Sequence, residues 1–155
     1  VLNLAFSELN RGYGWGESEG LTDCSRLLLD TFRAFGIQLG RHSSEQGRSG
    51  TSVIDVEADG LDAKLRTIRR AAHGGVVFLY MPGHIMLYLG AYQERDYALS
   101  AIHSFRSPCA NGDGEGEARI EKVVVSDLQV GAGTLKGSFL KRITKITVFG
   151  AKAGL

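Results

Sequence analysis

The chain has 155 residues, 43% hydrophobic and 23% charged, enough for one globular domain with its own core and too few for a second. Its 18 basic and 17 acidic residues leave a formal net charge of +1, and the basic ones are scattered instead of forming an aromatic-studded stripe, which argues against a nucleic-acid partner. No apolar run approaches the roughly 20 residues that cross a bilayer, so no membrane span is expected.

Leu2, Phe6 and Leu9 fall close to the i, i+4, i+7 spacing of a short helix within residues 1–10, packed by that face. Arg11-Gly12-Tyr13-Gly14-Trp15-Gly16 then sets two aromatics among three glycines, a composition suited to a loop beside a cleft. A plainer reading has both rings covering the core edge.

Thr22-Asp23-Cys24-Ser25 opens an amphipathic run over residues 26–35 that Gly36 closes. Thr22 or Asp23 suits the N-cap, and Leu28, Phe32 and Phe35 share one face. Cys24 therefore lies in the first turn. Unpaired N–H groups and the helix dipole favour a thiolate there, lowering the thiol pKa from its reference of about 8.5, and the same N–H groups can hold an oxyanion. The alternative is a buried structural thiol, which only position and partners can overturn. Cys24 and Cys109 are far apart in sequence, and both thiols are expected to be free.

The polar segment Arg41 to Ser52 reads as a surface loop, with His42 solvated. Leu61, Leu65, Ile68 and Ala72 predict a core-facing helix over 61–72, and His73 ends it without a chemical role. Val76–Met81 and His84–Gly90 flank Pro82-Gly83 and read as paired strands in mid-sheet. A third strand, Tyr97–Phe105, follows the polar turn 93–96 and runs antiparallel to the second. His84 near the start of one strand and His103 near the end of the next then lie at the same sheet edge. Residues 107–117 form a loop containing Cys109, residues 119–125 a further strand, and residues 139–149 a closing strand.

Two histidines at one sheet edge opposite a cysteine on a helix N-terminus supply a nucleophile, a base and an orienting group. The same three residues suit zinc less well, because the spacings of a structural metal site are absent. No metal and no cofactor is expected.

Tyr13-Gly14-Trp15-Gly16, Asp23-Cys24-Ser25, Arg41-His42-Ser43-Ser44-Glu45-Gln46, Gly83-His84-Ile85-Met86-Leu87-Tyr88-Leu89-Gly90 and Ile102-His103-Ser104 together resemble the NlpC-type cell-wall peptidases, a papain-like cysteine peptidase family. The resemblance implies an α+β, papain-like fold, a central antiparallel sheet with the nucleophile helix packed against it. It implies Cys24 as nucleophile, His84 as base and His103 as the residue orienting it, with Tyr13, Asp23 and Ser25 holding the amine end of a peptidoglycan stem peptide. The bond implied joins γ-D-glutamate to a diamino acid such as diaminopimelate. Arg26 departs from the family's glycine after Asp-Cys-Ser and would narrow the cleft or meet a substrate carboxylate; Gly74-Gly75-Val76 also departs from it. A single domain over 1–155 is expected, monomeric, as the C-terminal part of a longer chain with an upstream SH3-like domain. The cell envelope, periplasmic or secreted, is the expected location, with cytoplasmic muropeptide recycling as the alternative. An amidase or acyltransferase on the same scaffold and a catalytically inactive wall-binding module are the competing readings.

Overall fold

The computed structural model describes residues 1–15, 20–110 and 114–150. Five helices and six strands follow in chain order: α1 (Leu2–Ser7), α2 (Cys24–Arg33), α3 (Ser43–Gln46), β1 (Ser52–Asp55), α4 (Leu61–Ala72), β2 (Val76–Met81), β3 (His84–Tyr92), β4 (Arg95–Pro108), β5 (Glu115–Asp127), α5 (Phe139–Arg142) and β6 (Lys145–Phe149). The strands form one antiparallel sheet in the order β1-β6-β2-β3-β4-β5. The architecture is the expected α+β one, with β2 and β3 in mid-sheet.

Period-two alternation divides the core between the two faces. Phe78, Ile85, Leu87 and Leu99 pack against Leu27, Leu28 and Phe32 of α2 on one side. Val77, Leu79, Met86, Tyr88 and Ile146 pack against Ile68 of α4 and Phe139 and Leu140 of α5 on the other. Because β2 and β3 are covered on both faces, they read as near-continuous apolar runs. Gln93 and Glu94, with φ of 45° and 63°, form the two-residue turn that joins β3 to β4.

Several elements depart from the sequence reading. In α1 the buried residue is Ala5, while Leu2 and Phe6 face outward, because this short helix docks by the small side chain that lets it approach α2. Helix α2 stops at Arg33, so Phe35 lies beyond it and is exposed; Gly36, at φ 74°, turns the chain further on. Residues 41–52 lie at the surface with His42 exposed, as expected, but are not all loop. They hold α3, whose Gln46 is fully buried and donates to the carbonyls of Ser25 at 2.8 Å and Gly40 at 2.9 Å, and Ser52 begins β1.

The final apolar run is two elements. Ser138 caps α5 by accepting from the Lys141 N–H at 3.2 Å, and the buried ammonium of Lys64 donates to the carbonyls of Lys141 at 2.9 Å and Ile143 at 2.5 Å. Those bonds satisfy the end of α5, after which β6 enters the sheet between β1 and β2. Strands β4 and β5 extend well past the predicted bounds, since the far half of their hairpin is exposed and lacks an apolar signature.

Candidate active site

Asp23 is the N-cap of α2, accepting from the Arg26 N–H at 2.8 Å, and it also accepts from Ser25 Oγ at 3.0 Å. Arg41, just before α3, donates to both Asp23 oxygens, at 2.7 and 3.2 Å, and to Ser25 Oγ at 3.0 Å. Burial pushes the Asp23 pKa up, but the hydrogen bonds from Arg41, the Arg26 N–H and Ser25 outweigh it and hold the carboxyl below its ordinary value. Asp23 is thus a charged cap locked to an arginine 18 residues downstream. Arg26 donates from Nε to Asp30 Oδ2 at 2.7 Å, one turn further along α2.

Cys24 is the first residue of α2 and is 8% exposed. Burial pushes its thiol up to about 11; the Ile85 N–H pulls the other way, and the negative charge of Asp23 adds to the rise. The expected lowering does not occur. A helix N-terminus favours a thiolate only when solvation is kept, and here desolvation and the capping carboxylate win.

His84 opens β3, one residue before the Ile85 N–H that serves the thiol. Its Nε2 lies 3.1 Å from Ser100 Oγ, and its ring packs 5.5 Å from the Phe139 ring of α5. Burial, helped by the charge of Arg142, drives its pKa down to about 4, so the imidazole is neutral at pH 7. Among the described residues Nδ1 has no hydrogen-bond partner, and no hydrogen bond joins the ring to Cys24.

His103 is not brought to His84. The register that pairs Leu87 with Leu99 places Ser100 on the His84 face, and the odd offset from Ser100 to His103 sends the second imidazole to the other face. There it lies 5.3 Å from the Tyr13 ring, with Nε2 3.7 Å from Glu121 and Nδ1 3.3 Å from Ser104 Oγ. Sharing a sheet edge did not mean sharing a face. Ser100, a polar residue within the apolar stretch 97–102, was the signal: it stands at an even offset from the residue opposite His84.

A cleft of about 510 Å³ opens over Cys24, lined by Tyr13, Trp15, Asp23, Ser25, Arg41, His42, Ser43, Ser44, Tyr80 and Gly83. His42 and Arg41, read from sequence as loop residues, thus belong to its wall. Burial raises the Tyr13 pKa, as do the neighbouring Cys24 and Asp23, against the opposing charge of Arg41. Trp15 stands on the rim, 85% exposed, and so does not cover the core; Gly16 of the same motif lies outside the described residues. No cluster of three or more potential metal ligands occurs among the described residues.

A family model described as the NlpC/P60 family matches residues 10–107, more than half of the chain. The chain belongs to the NlpC/P60 family. The match runs from the Tyr13 loop through α2 and His84 to the end of β4, so that α5, whose Phe139 packs on His84, comes from outside it. An NlpC/P60 endopeptidase from Photobacterium damselae subsp. piscicida superposes with a TM-score of 0.75 at 18% identity, covering 94% of this chain and 37% of that one. The peptidoglycan hydrolase RipB from Mycobacterium tuberculosis superposes with a TM-score of 0.51 at 22% identity, covering 94% of this chain and 61% of that one. This NlpC/P60 chain therefore shares their papain-like fold while spanning only part of their length. No curated protein matches it.

Proposed function

We propose that this NlpC/P60 chain is a cysteine endopeptidase that hydrolyses the bond from γ-D-glutamate to a diamino acid, such as diaminopimelate, in peptidoglycan stem peptides. One observation carries the reading. Cys24 lines the cleft against the Ile85 N–H, and His84, next to Ile85 in the chain, has one ring nitrogen held by Ser100 and the other without a partner among the described residues. That pattern supports Cys24 as nucleophile, His84 as base and Ser100, in place of His103, as the residue fixing the tautomer.

The raised thiol and lowered imidazole make the resting pair neutral. Attack then begins by general-base transfer: His84 takes the thiol proton as Sγ bonds to the γ-glutamyl carbonyl carbon. The N–H groups of the first turn of α2 receive the oxyanion. His84 returns the proton to the departing amine as the C–N bond breaks, leaving a thioester. Water, deprotonated by the same imidazole, releases the acid and restores the thiol. Hydrogen bonds in such sites tighten on substrate binding, which fits the absent Cys24–His84 bond here.

Asp23, Ser25 and Tyr13 line the same cleft and would hold the free amine of the stem peptide, with the ammonium sharing the Asp23 carboxylate with Arg41. The name of RipB as a peptidoglycan hydrolase supports a wall substrate, and a wall substrate supports action at the cell envelope. Incubation with a defined tetrapeptide stem, with and without a free L-alanine amine, tests the reading by product mass. Release of the diamino-acid fragment from the free-amine substrate, abolished by Cys24→Ala, is expected. Cleavage ahead of the L-alanine would instead establish an amidase, and full activity of Cys24→Ala would remove the cysteine mechanism.

A further inference from the structure

The segment carrying Tyr13 is an added edge on the sheet. Asn10 donates to the Val123 carbonyl at 3.0 Å, Val123 donates to Arg11 at 2.9 Å, and Tyr13 donates to the Glu121 carbonyl at 2.8 Å. Where Tyr13 attaches, the β4–β5 ladder is irregular. Ile102 pairs with Lys122 and Ser104 with Arg119, so His103 alone opposes both Ile120 and Glu121. Glu121 sits at φ 54°, a left-handed conformation that costs a non-glycine residue energy and that the surrounding contacts must hold. At this bulge the Glu121 carbonyl meets the Tyr13 N–H, its carboxylate lies 3.7 Å from His103 Nε2, and the His103 ring lies 5.3 Å from the Tyr13 ring at 59°.

We propose that His103 is a positioning residue for the substrate cleft: its imidazole backs the Tyr13 ring, and the bulge at Glu121 sets the two against each other. This rests on the reading of Tyr13 as a wall of the stem-peptide cleft. The Tyr13 phenol reaches the surroundings of Cys24, Asp23 and Arg41, while the chain beyond it leads to the exposed Trp15. Tyr13 packs against the core cluster that includes Cys24, and on its far side the backbone ladder and the His103 ring meet it. His103 lies on the opposite face of β4 from Ser100 and has no part in the His84 hydrogen bond. Its influence therefore falls on substrate binding and not on proton transfer.

Steady-state kinetics on the full chain with a free-amine tetrapeptide stem, combined with NMR of 13C-labelled tyrosine rings, tests this. His103→Ala should raise KM by roughly 3- to 10-fold, the worth of one aromatic contact, with kcat within about twofold. It should also shift the Tyr13 ring signal. His103→Phe, which keeps a flat ring, should restore both KM and the signal. A fall in kcat shared by the Ala and Phe variants would return His103 to the chemistry and overturn the proposal, and so would an unchanged KM. If the wild-type chain leaves the stem peptide intact, the proposed activity fails separately. The tyrosine spectrum then judges the His103–Tyr13 arrangement alone, and an unmoved Tyr13 signal overturns it.

Discussion

Ser100 Oγ stands 3.1 Å from Nε2 of His84, on the face of the sheet that α5 covers, while the cysteine helix packs on the other. The base sits at the start of its strand, next in the chain to Gly83 of the cleft wall, with its ring anchored by Ser100 and Phe139. Ser100→Ala removes that anchor without opening a large cavity. We expect kcat to fall about 10- to 100-fold with KM little changed, and Ser100→Thr to recover part of the loss. Equal kcat values for wild type and Ser100→Ala would show that Phe139 packing alone orients the ring.

The buried thiol yields a reactivity prediction. With its pKa raised from 9.0 to about 11, Cys24 is almost wholly protonated at pH 7, so iodoacetamide should modify it slowly there and progressively faster through pH 9 to 11. Peptide mapping by mass spectrometry separates Cys24 from Cys109. Rapid alkylation of Cys24 at pH 6 would show a resting ion pair with His84 and contradict the neutral pair.

His84 makes stability depend on acid. Its folded pKa, about 4, lies below the unfolded value of 6.5, so between these limits the unfolded chain binds the extra proton. The contribution is full above pH 6.5 and is lost as pH falls toward 4, amounting to about 3 kcal/mol by the usual conversion. Urea unfolding at pH 7 and pH 4.5 should show this loss in wild type. A smaller loss is expected in His84→Gln, and identical slopes in both proteins would place the acid sensitivity elsewhere.

Lys64 is an unusual element of the core. Its ammonium is bound by two carbonyls at the end of α5, and desolvation lowers its pKa. Lys64→Met keeps the apolar stem and leaves those carbonyls unpaired, so a destabilisation of about 1–3 kcal/mol in urea is expected. Because α5 carries Phe139 against His84, the same variant should lower kcat. A stable variant of full activity would show that α5 holds its place without the lysine.

Much of the fold was legible because burial wrote it into the sequence twice over. The bounds of helix α4 were readable from Leu61 to Ala72, although its buried face runs through Lys64, Ile68 and Ala71 and leaves Leu61 and Ala72 exposed, and β2 and β3 were readable from continuous apolar runs that reflect covering on both faces. Cys24 could be placed at a helix start because Asp23 caps through its side chain. What sequence hid was of another kind. The burial of Gln46 and Lys64 depends on carbonyls distant in the chain, which no local pattern announces. The partner of His84 depends on strand register, where one residue decides the face, and a serine in an apolar strand carries a weaker chemical signal than a histidine. The thiol pKa failed to follow the helix dipole because desolvation is a property of packing, invisible in the spacing of residues.

Strand β6 fills the gap between β1 and β2, and its pairing with β1 joins Ser52 to Val148. Until residues 145–149 are in place, β1 and β2 therefore lack the strand that each of them pairs with. Such distant closure is slow, and the unfilled slot exposes the edges of β1 and β2 to strands from other molecules. Strand β6 is the keystone of the sheet, so a chain cut before Ser138 should lack cooperative unfolding even though it retains Cys24, His84 and Ser100.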